Sequence, residues 1–562
     1  MKTIIHKNIL KGMFMALAFS VGCSDDFLER PPKNSLIDAT YYQTDEQVLA
    51  GTAFLYSRVW FDYNDQASFA LGDFRGGTAF SAWNNRDNVE FNTTANTAAN
   101  GNAWRAFFNV VGQSNTMLKN IQQFAGPEVT PRIKNQALGE SRFMRGMAYQ
   151  YLVMNWGPVP IIEDNTQYLN GESVYRNTEA SVWRFITKDL RAAAELLPET
   201  PVQPGRVTRW SAEAGLARAY LTRAGVSETG ESTGSKNQVF LDSAMYYAQR
   251  VINAPGYDLL EDYADLFKVD YANGISYDNN PESLFSLQWV HPGGWGSQNS
   301  TPAYLTYNAE IANGDGWGGD VGATEWMLNL YEGMEDNGYT QDERLKATFM
   351  LPGFRYPEVM RATTVNGEPA TIPLVYPFSG TDQNYAAVKK YITGKTTPEN
   401  AAQQSYGHDT YMIRLAEMYL IYAEAALGNS MSTSDPQAIE YFNAVHTRAG
   451  LQPVSGSITF REIFNERIKE FAMEAMAWYD LVRLWYWNPQ MAYDIINEQD
   501  RGLFFIEPDQ MPNPTSWEFT DTEWYEFNNA NASGANFRLP IPATEMSSMP
   551  SLGEAAVDYY AE

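Results

Sequence analysis

Residues 133–156 read Ile133-Lys-Asn-Gln-Ala137-Leu-Gly139-Glu140-Ser141-Arg142-Phe143-Met144-Arg145-Gly146-Met147-Ala-Tyr-Gln-Tyr151-Leu-Val-Met154-Asn-Trp156. Apolar or small residues at Ala137, Met144, Met147, Tyr151 and Met154 keep helical spacing and paint one face of a helix. Gly157-Pro158-Val159-Pro160 then stops it. The small residues let a second helix approach closely. Arg209–Ala224, Thr410–Leu427 and Phe460–Trp487 carry the same kind of pattern. Leu216-Ala-Arg-Ala-Tyr220-Leu221 and Met418-Tyr-Leu-Ile-Tyr422-Ala423 resemble each other in the manner of tetratricopeptide (TPR) helix pairs, without a clean tandem period. These patterns point to a mainly α chain with TPR-like helix pairs. Two long stretches, about 60–103 and 270–400, are rich in Gly, Asn, Asp, Tyr and Trp and are expected to form a loop-rich, variable half. Loops this long inside a compact protein tend to be functional, and their aromatic content argues against disorder.

The chain begins with Lys2, Lys7 and Lys11, followed by an apolar run from Met13 that ends at Cys23. The run is too short to span a bilayer. A small residue before a cysteine reads as a bacterial lipoprotein signal. Residues 1–22 are therefore expected to be a signal peptide, Cys23 the lipidated first residue, 23–34 an acidic tether, and 35–562 a single domain. Cys23 is the sole cysteine, so disulfides are excluded. The formal charge is −27, and loss of the three leader lysines takes it to −30. Such a surface repels phosphate backbones and anionic lipid, so no nucleic-acid partner is expected. Four scattered His and one Cys leave no transition-metal set, and no cofactor is called for. Fifteen Trp and 34 Tyr suit a surface that holds sugars or peptides by flat stacking.

Sugar rings present an apolar face and a rim of hydroxyls. Binding one takes an exposed aromatic with converging polar side chains. Two regions offer both: Asp73-Phe-Arg75-Gly-Gly77 to Trp83-Asn84-Asn85-Arg86-Asp87, and His291-Pro-Gly-Gly-Trp295-Gly-Ser-Gln298 with Asp315-Gly-Trp317-Gly-Gly-Asp320. The candidate ligand residues are Trp83, Trp295, Trp317, Asp73, Arg75, Asn84, Asn85 and Asp320. Glycines beside Trp295 and Trp317 are read as leaving those rings uncovered and open to a ligand. Trp60, Trp104, Trp183, Trp210 and Trp478 sit in helical patterns and are expected to pack. Glu140, Arg142, Arg145, Glu417, Glu424, Glu466, Arg467 and Glu470 are expected to make ion pairs in the scaffold rather than a glycosidase pair. Thr393-Gly394-Lys395-Thr396 fails the phosphate-loop pattern because Lys389 stands where Gly is needed. Asn313, Asp315 and Asp320 lack the EF-hand order and read as a turn.

An ordered series of motifs resembles the SusD/RagB family of Bacteroidetes outer-membrane lipoproteins, nearly end to end. It comprises Asp26-Phe-Leu-Glu29, Gly139–Gly146 with Gly157–Pro160, Lys188-Asp-Leu190 with Ala194–Pro198, and Gly205–Leu221. Arg414–Leu420 with Ala423–Ala425, Glu466–Arg483, and Leu539-Pro-Ile-Pro542 complete it. Ala475 and Ala477 depart from the usual Gly and Arg. The resemblance implies a right-handed superhelical scaffold of TPR-like helix pairs with a variable, loop-rich ligand-binding half, in a non-enzymatic, lipid-anchored protein on the outer face of the outer membrane. Its implied task is to capture oligosaccharides or polysaccharides and deliver them to a SusC-like TonB-dependent transporter. It supplies no fixed ligand motif. Three rival readings are a peptide-capturing RagB-like protein, a surface glycoside hydrolase, and a scaffold that docks only protein.

Overall fold

The computed structural model describes residues 38–166, 173–228, 232–270, 275–291, 293–332, 340–378, 384–395, 404–521 and 530–560. The signal peptide, Cys23 and the tether lie outside the described residues. The chain is mainly helical. After α1 (Asp45–Ala53) come α2 (Ala98–Phe124), α3 (Pro131–Trp156), α4 (Glu179–Leu196), α5 (Arg209–Arg223) and α6 (Gln238–Ile252). Later in the chain come α7 (Leu415–Ala425), α8 (Pro436–Arg448), α9 (Phe460–Glu470) and α10 (Ala477–Trp487). From α2 to α8 each helix packs on the next, α6 meeting α7 across the long insertion, which is the TPR-like scaffold.

Residues 133–156 lie within α3. Thr130 caps it by accepting from the Ile133 N–H, Pro131 occupies the first turn, and Gly157 ends it at φ +73°. Gly139 and Gly146 are where α4 comes closest. A Cβ at Gly139 would stand 2.7 Å from Leu197 Cγ, and one at Gly146 would stand 3.1 Å from Leu190 Cγ. The polar residues between them tie the scaffold together. Glu140 is fully buried and accepts from the Tyr56 hydroxyl (2.8 Å), Gln136 (2.8 Å) and the Arg206 guanidinium (2.9 Å). Arg145 and Arg142 both reach Asp189 on α4, at 2.7 and 2.9 Å.

The late helices hold a denser charged network. Arg218 bonds Glu417, Arg467 bonds Asp480, and Arg483 bonds both Glu424 and Asp480. Glu466 and Glu470 are neighbours on α9, and Arg344 bridges them at 2.8 and 3.3 Å. Arg414 and Arg448 complete the surroundings of Glu470. Every one of these carboxylates has a cationic partner, as buried charges require.

One hydrophobic cluster runs from Tyr42 to Leu539 through both halves. The insertion between α6 and α7 supplies most of a small four-stranded sheet. Its strands β1 (Ala79–Ser81), β3 (Val321–Ala323), β4 (Phe349–Met350) and β7 (Ala387–Val388) lie in the order β1-β3-β7-β4. β2 (Ser283–Leu287) pairs with β8 (Thr410–Arg414) at the start of α7. A long hairpin, β5 (Arg355–Val365) and β6 (Glu368–Val375), stands apart as a two-stranded ribbon.

The expectation of a loop over about 60–103 fails at both ends, since α2 already begins at Ala98 and the start is helical. Residues 54–74 are largely buried helical turns, with π-helical stretches at Tyr63–Ala67 and Ala70–Phe74. The small, polar composition serves close packing. A Cβ at Gly72 would lie 2.3 Å from the Ala475 Cα, so only glycine lets this helix rest on the 471–477 turn.

Candidate functional site

Among the described residues Trp83, Trp295 and Trp317 are the only strongly exposed tryptophans, at 75, 65 and 47% of their surface. Trp60, Trp104, Trp183, Trp210 and Trp478 are buried. An exposed indole is costly for a protein to keep, so three on surface loops, two of them flanked by glycines, mark a surface built to meet something.

One segment, residues 299–306, anchors all three loops. Asn299 and Ser300 fix it to the 58–74 helical turns, bonding Asn64 (3.1 Å) and Asp65 (2.6 Å). Trp295 leaves this segment on a tight turn closed by Ser297 N–H donating to Gly294 O, with Gly296 at φ +90°. Its ring meets Phe61 edge-on, centroids 5.0 Å apart, and Phe61 meets buried Trp289 in turn. Trp317 is held from its backbone: its N–H donates to Ala303 O (2.8 Å) and that of Gly318 to Thr306 O (2.7 Å).

Trp83 reaches the same region through the sheet. β1 and β3 pair antiparallel, with Ser81 opposite Val321. The residues after β1 therefore lie beside those before β3. Asp320 closes this end. Its buried Oδ2 accepts from the Ser81 hydroxyl (3.0 Å) and from the Trp83 N–H (3.1 Å). Asn85 is buried alongside and donates to the Tyr304 hydroxyl (2.8 Å). Burial, reinforced by the Asp320 carboxylate, pushes the Tyr304 phenol up, so it stays a neutral hydroxyl. Asn84 is exposed next to Trp83.

The eight candidate residues thus divide. Trp83, Trp295, Trp317 and Asn84 face solvent. Asp320 and Asn85 lie beneath and position the Trp83 loop. Asp73 and Arg75 do neither, and assigning them to the ligand surface is corrected by their burial, at 0 and 1% exposure. The Asp73 carboxylate accepts from the Met473 and Ala475 N–H groups (2.8 Å each) and from Thr78 (2.7 Å). Burial pushes it up to about 6 against those hydrogen bonds. Arg75 donates to Phe537 O and Asn536 O and lies over the Phe91 and Trp478 rings. Burial lowers its guanidinium to about 9, with Asp87 opposing. Both residues join chain segments some 400 residues apart.

The glycines also need a second reading. Gly294 and Gly296 have open space around them, as expected of a turn that presents Trp295. Around Trp317 the reason differs. A Cβ at Gly316 would meet the Ala309 N at 2.9 Å, and one at Gly318 the Leu305 O at 2.3 Å. These glycines let the Trp317 loop lie directly on the backbone of 303–309. The roles of Tyr304, Ser81 and Phe61 carried no local signal in the sequence.

Two family models match: "SusD family" over residues 281–559 and "Starch-binding associating with outer membrane" over residues 26–221. A SusD-like protein of Bacteroides ovatus is 33% identical over 576 aligned residues, spanning 100% of this chain and 99% of its own. The chain belongs to the SusD family. The starch-binding protein SusD of Bacteroides thetaiotaomicron is 24% identical across 62% of this chain and 66% of its own. A crystal structure determined with xylogluco-oligosaccharide superposes with a TM-score of 0.78, at 31% identity, over 92% of this chain and 99% of that one. A laminarin-binding SusD-like protein shares the fold at a TM-score of 0.63 and 22% identity, over 90% of this chain and 98% of its own.

Proposed function

We propose that this protein is a cell-surface glycan-binding protein that captures oligosaccharides on the loops carrying Trp83, Trp295 and Trp317. The carrying observation is that these are the only strongly exposed tryptophans among the described residues, with the Trp83 and Trp317 loops hydrogen-bonded to 299–306 and the Trp295 turn running directly into it. Indole faces hold the apolar side of sugar rings; Asn84 and the loop backbone supply hydrogen bonds. The structure 31% identical to this chain was determined with xylogluco-oligosaccharide, which makes a neutral oligosaccharide of that kind the first ligand to test.

The helix carboxylates Glu140, Glu417, Glu466 and Glu470 are committed to arginines, which supports binding and release rather than hydrolysis as the task. Lipid on Cys23 would hold the body on the outer face of the outer membrane. Among the described residues no helix is long and apolar enough to cross a membrane. One acyl chain anchors only marginally, so several chains, or a SusC-like TonB-dependent transporter that takes the cargo onward, would retain the protein.

The test is titration of residues 24–562 with neutral and acidic oligosaccharides and with a peptide mixture, wild type against the three single Trp→Ala variants. Loss of one stacking ring is expected to weaken glycan binding roughly tenfold with the fold intact. Binding of peptides alone would favour the peptide-capturing reading. Turnover of the glycan would favour a hydrolase.

A further inference from the structure

On α4, Arg184, Lys188 and Arg191 follow at i, i+4 and i+7. They share one side of the helix over about 10 Å. Arg223, in the last turn of α5, comes in beside them. With Thr187 and Glu195 these residues line a hollow of about 440 Å³. Four cations and one carboxylate therefore face one hollow, in a chain whose net charge is −27.

The cations are unevenly compensated. Arg184 pairs with Glu228 at 2.8 Å. Arg191 and Arg223 make no ion pair among the described residues. Arg191 Nε donates to the Tyr220 hydroxyl (2.8 Å), and Arg223 to the Thr187 hydroxyl (3.0 Å) while lying over the Phe240 ring. Burial pulls the Arg223 guanidinium below its ordinary range. Tyr220 and Glu228 push back, and the like charges of Arg191 and Arg184 add to the burial. An anion seated here would relieve both the burial and the repulsion.

A second hollow of about 290 Å³ shares Arg191 and Glu195 with the first. Its own arginines are already paired, Arg250 with Glu213 and Arg209 with Glu199, at 2.8 Å each. What it adds is Tyr246, whose side chain is 57% exposed.

We propose that this groove is a second ligand site, separate from the tryptophan loops, for a saccharide bearing a sulfate or phosphate ester. The oxyanion sits among Arg191, Arg223 and Lys188, whose N–H groups match its oxygens. The sugar ring lies against Tyr246. A free inorganic anion takes the first hollow alone and binds more weakly.

The test is titration of residues 24–562 at low ionic strength with a dextran sulfate oligosaccharide, uncharged dextran of equal length, sodium sulfate and a polyglutamate peptide. The proteins are wild type, Arg191→Gln, Arg223→Gln, the exposed-site variant Lys188→Gln, and Trp295→Ala. Sulfated dextran is expected to bind, to be displaced by sulfate, and to lose roughly tenfold in affinity in each arginine variant. Lys188→Gln, at an exposed position, should weaken it several-fold, and Trp295→Ala should not. Equal affinity across the wild type and the arginine and lysine variants would overturn the proposal. So would the absence of sulfated-dextran binding. Polyglutamate binding as tight as the sulfated sugar would overturn the saccharide assignment in favour of an acidic protein partner.

Discussion

Substituting Gly318 by Ala strikes the candidate surface without touching an indole. A Cβ there would sit 2.3 Å from Leu305 O and 2.4 Å from Leu305 C, where ordinary contact begins near 3.4 Å. Backbone cannot yield as a flexible side chain does, so the Trp317 loop must lift by about 1 Å. That displacement breaks or stretches the Gly318-to-Thr306 and Trp317-to-Ala303 hydrogen bonds. Two such bonds are together worth about 2 kcal/mol. The loop is at the surface and the core beneath it is intact, so the cost falls on local order. Glycan affinity should then drop as though Trp317 were removed, by about 1–1.5 kcal/mol, or roughly tenfold. Gly294→Ala is the matched control: a Cβ there meets nothing within 4 Å, and affinity should stay within about twofold. Isothermal titration with a xylogluco-oligosaccharide, together with near-UV circular dichroism, reads both variants. Unchanged binding by Gly318→Ala, or equal damage from Gly294→Ala, would refute the reasoning.

Three further outcomes are expected. Ala475 holds φ +59°, which glycine adopts without strain, and its N–H bonds Asp73. Ala475→Gly should stabilise the protein by about 1 kcal/mol in urea unfolding. Burial pushes Glu470 up, but Arg448, Arg414 and Arg344 outweigh it and hold the carboxyl at about 2; Glu466, Glu474 and Asp480 are lowered for similar reasons. A carboxyl depressed in the folded state stabilises it above the ordinary glutamate range and loses that contribution as pH falls toward the folded value. Unfolding free energy should therefore decline between about pH 5 and pH 3, by ~2 kcal/mol from Glu470 alone, as followed by denaturant titration across that range. Asp320→Ala leaves the Ser81 hydroxyl and the Trp83 N–H without their acceptor. Hydrogen exchange at 81–85 should quicken, and glycan affinity should fall several-fold.

The helical half was legible because its signals are local. Period, small residues and the Gly157 stop lie within α3 itself, and Glu140, Arg142 and Arg145 fall between its two contact glycines. The exposed tryptophans were legible for a similar reason: each sits among glycines or polar residues, outside any helical pattern. Asp73 and Arg75 carried the same polar label as Asn84. Only contacts with 473–475 and 536–537 show that they are core residues. Gly72 and Gly318 read as loop glycines, yet both are glycine because another backbone lies against them. Sequence composition marks where a side chain is unusual; long-range pairing decides whether it faces ligand or neighbour.

The most direct test of the central claim is a crystal structure of residues 24–562 with a xylogluco-oligosaccharide. Sugar rings are expected against at least one of Trp83, Trp295 and Trp317, with the 299–306 segment unmoved beneath them. A well-ordered oligosaccharide bound elsewhere, with all three indoles left in solvent, would contradict it.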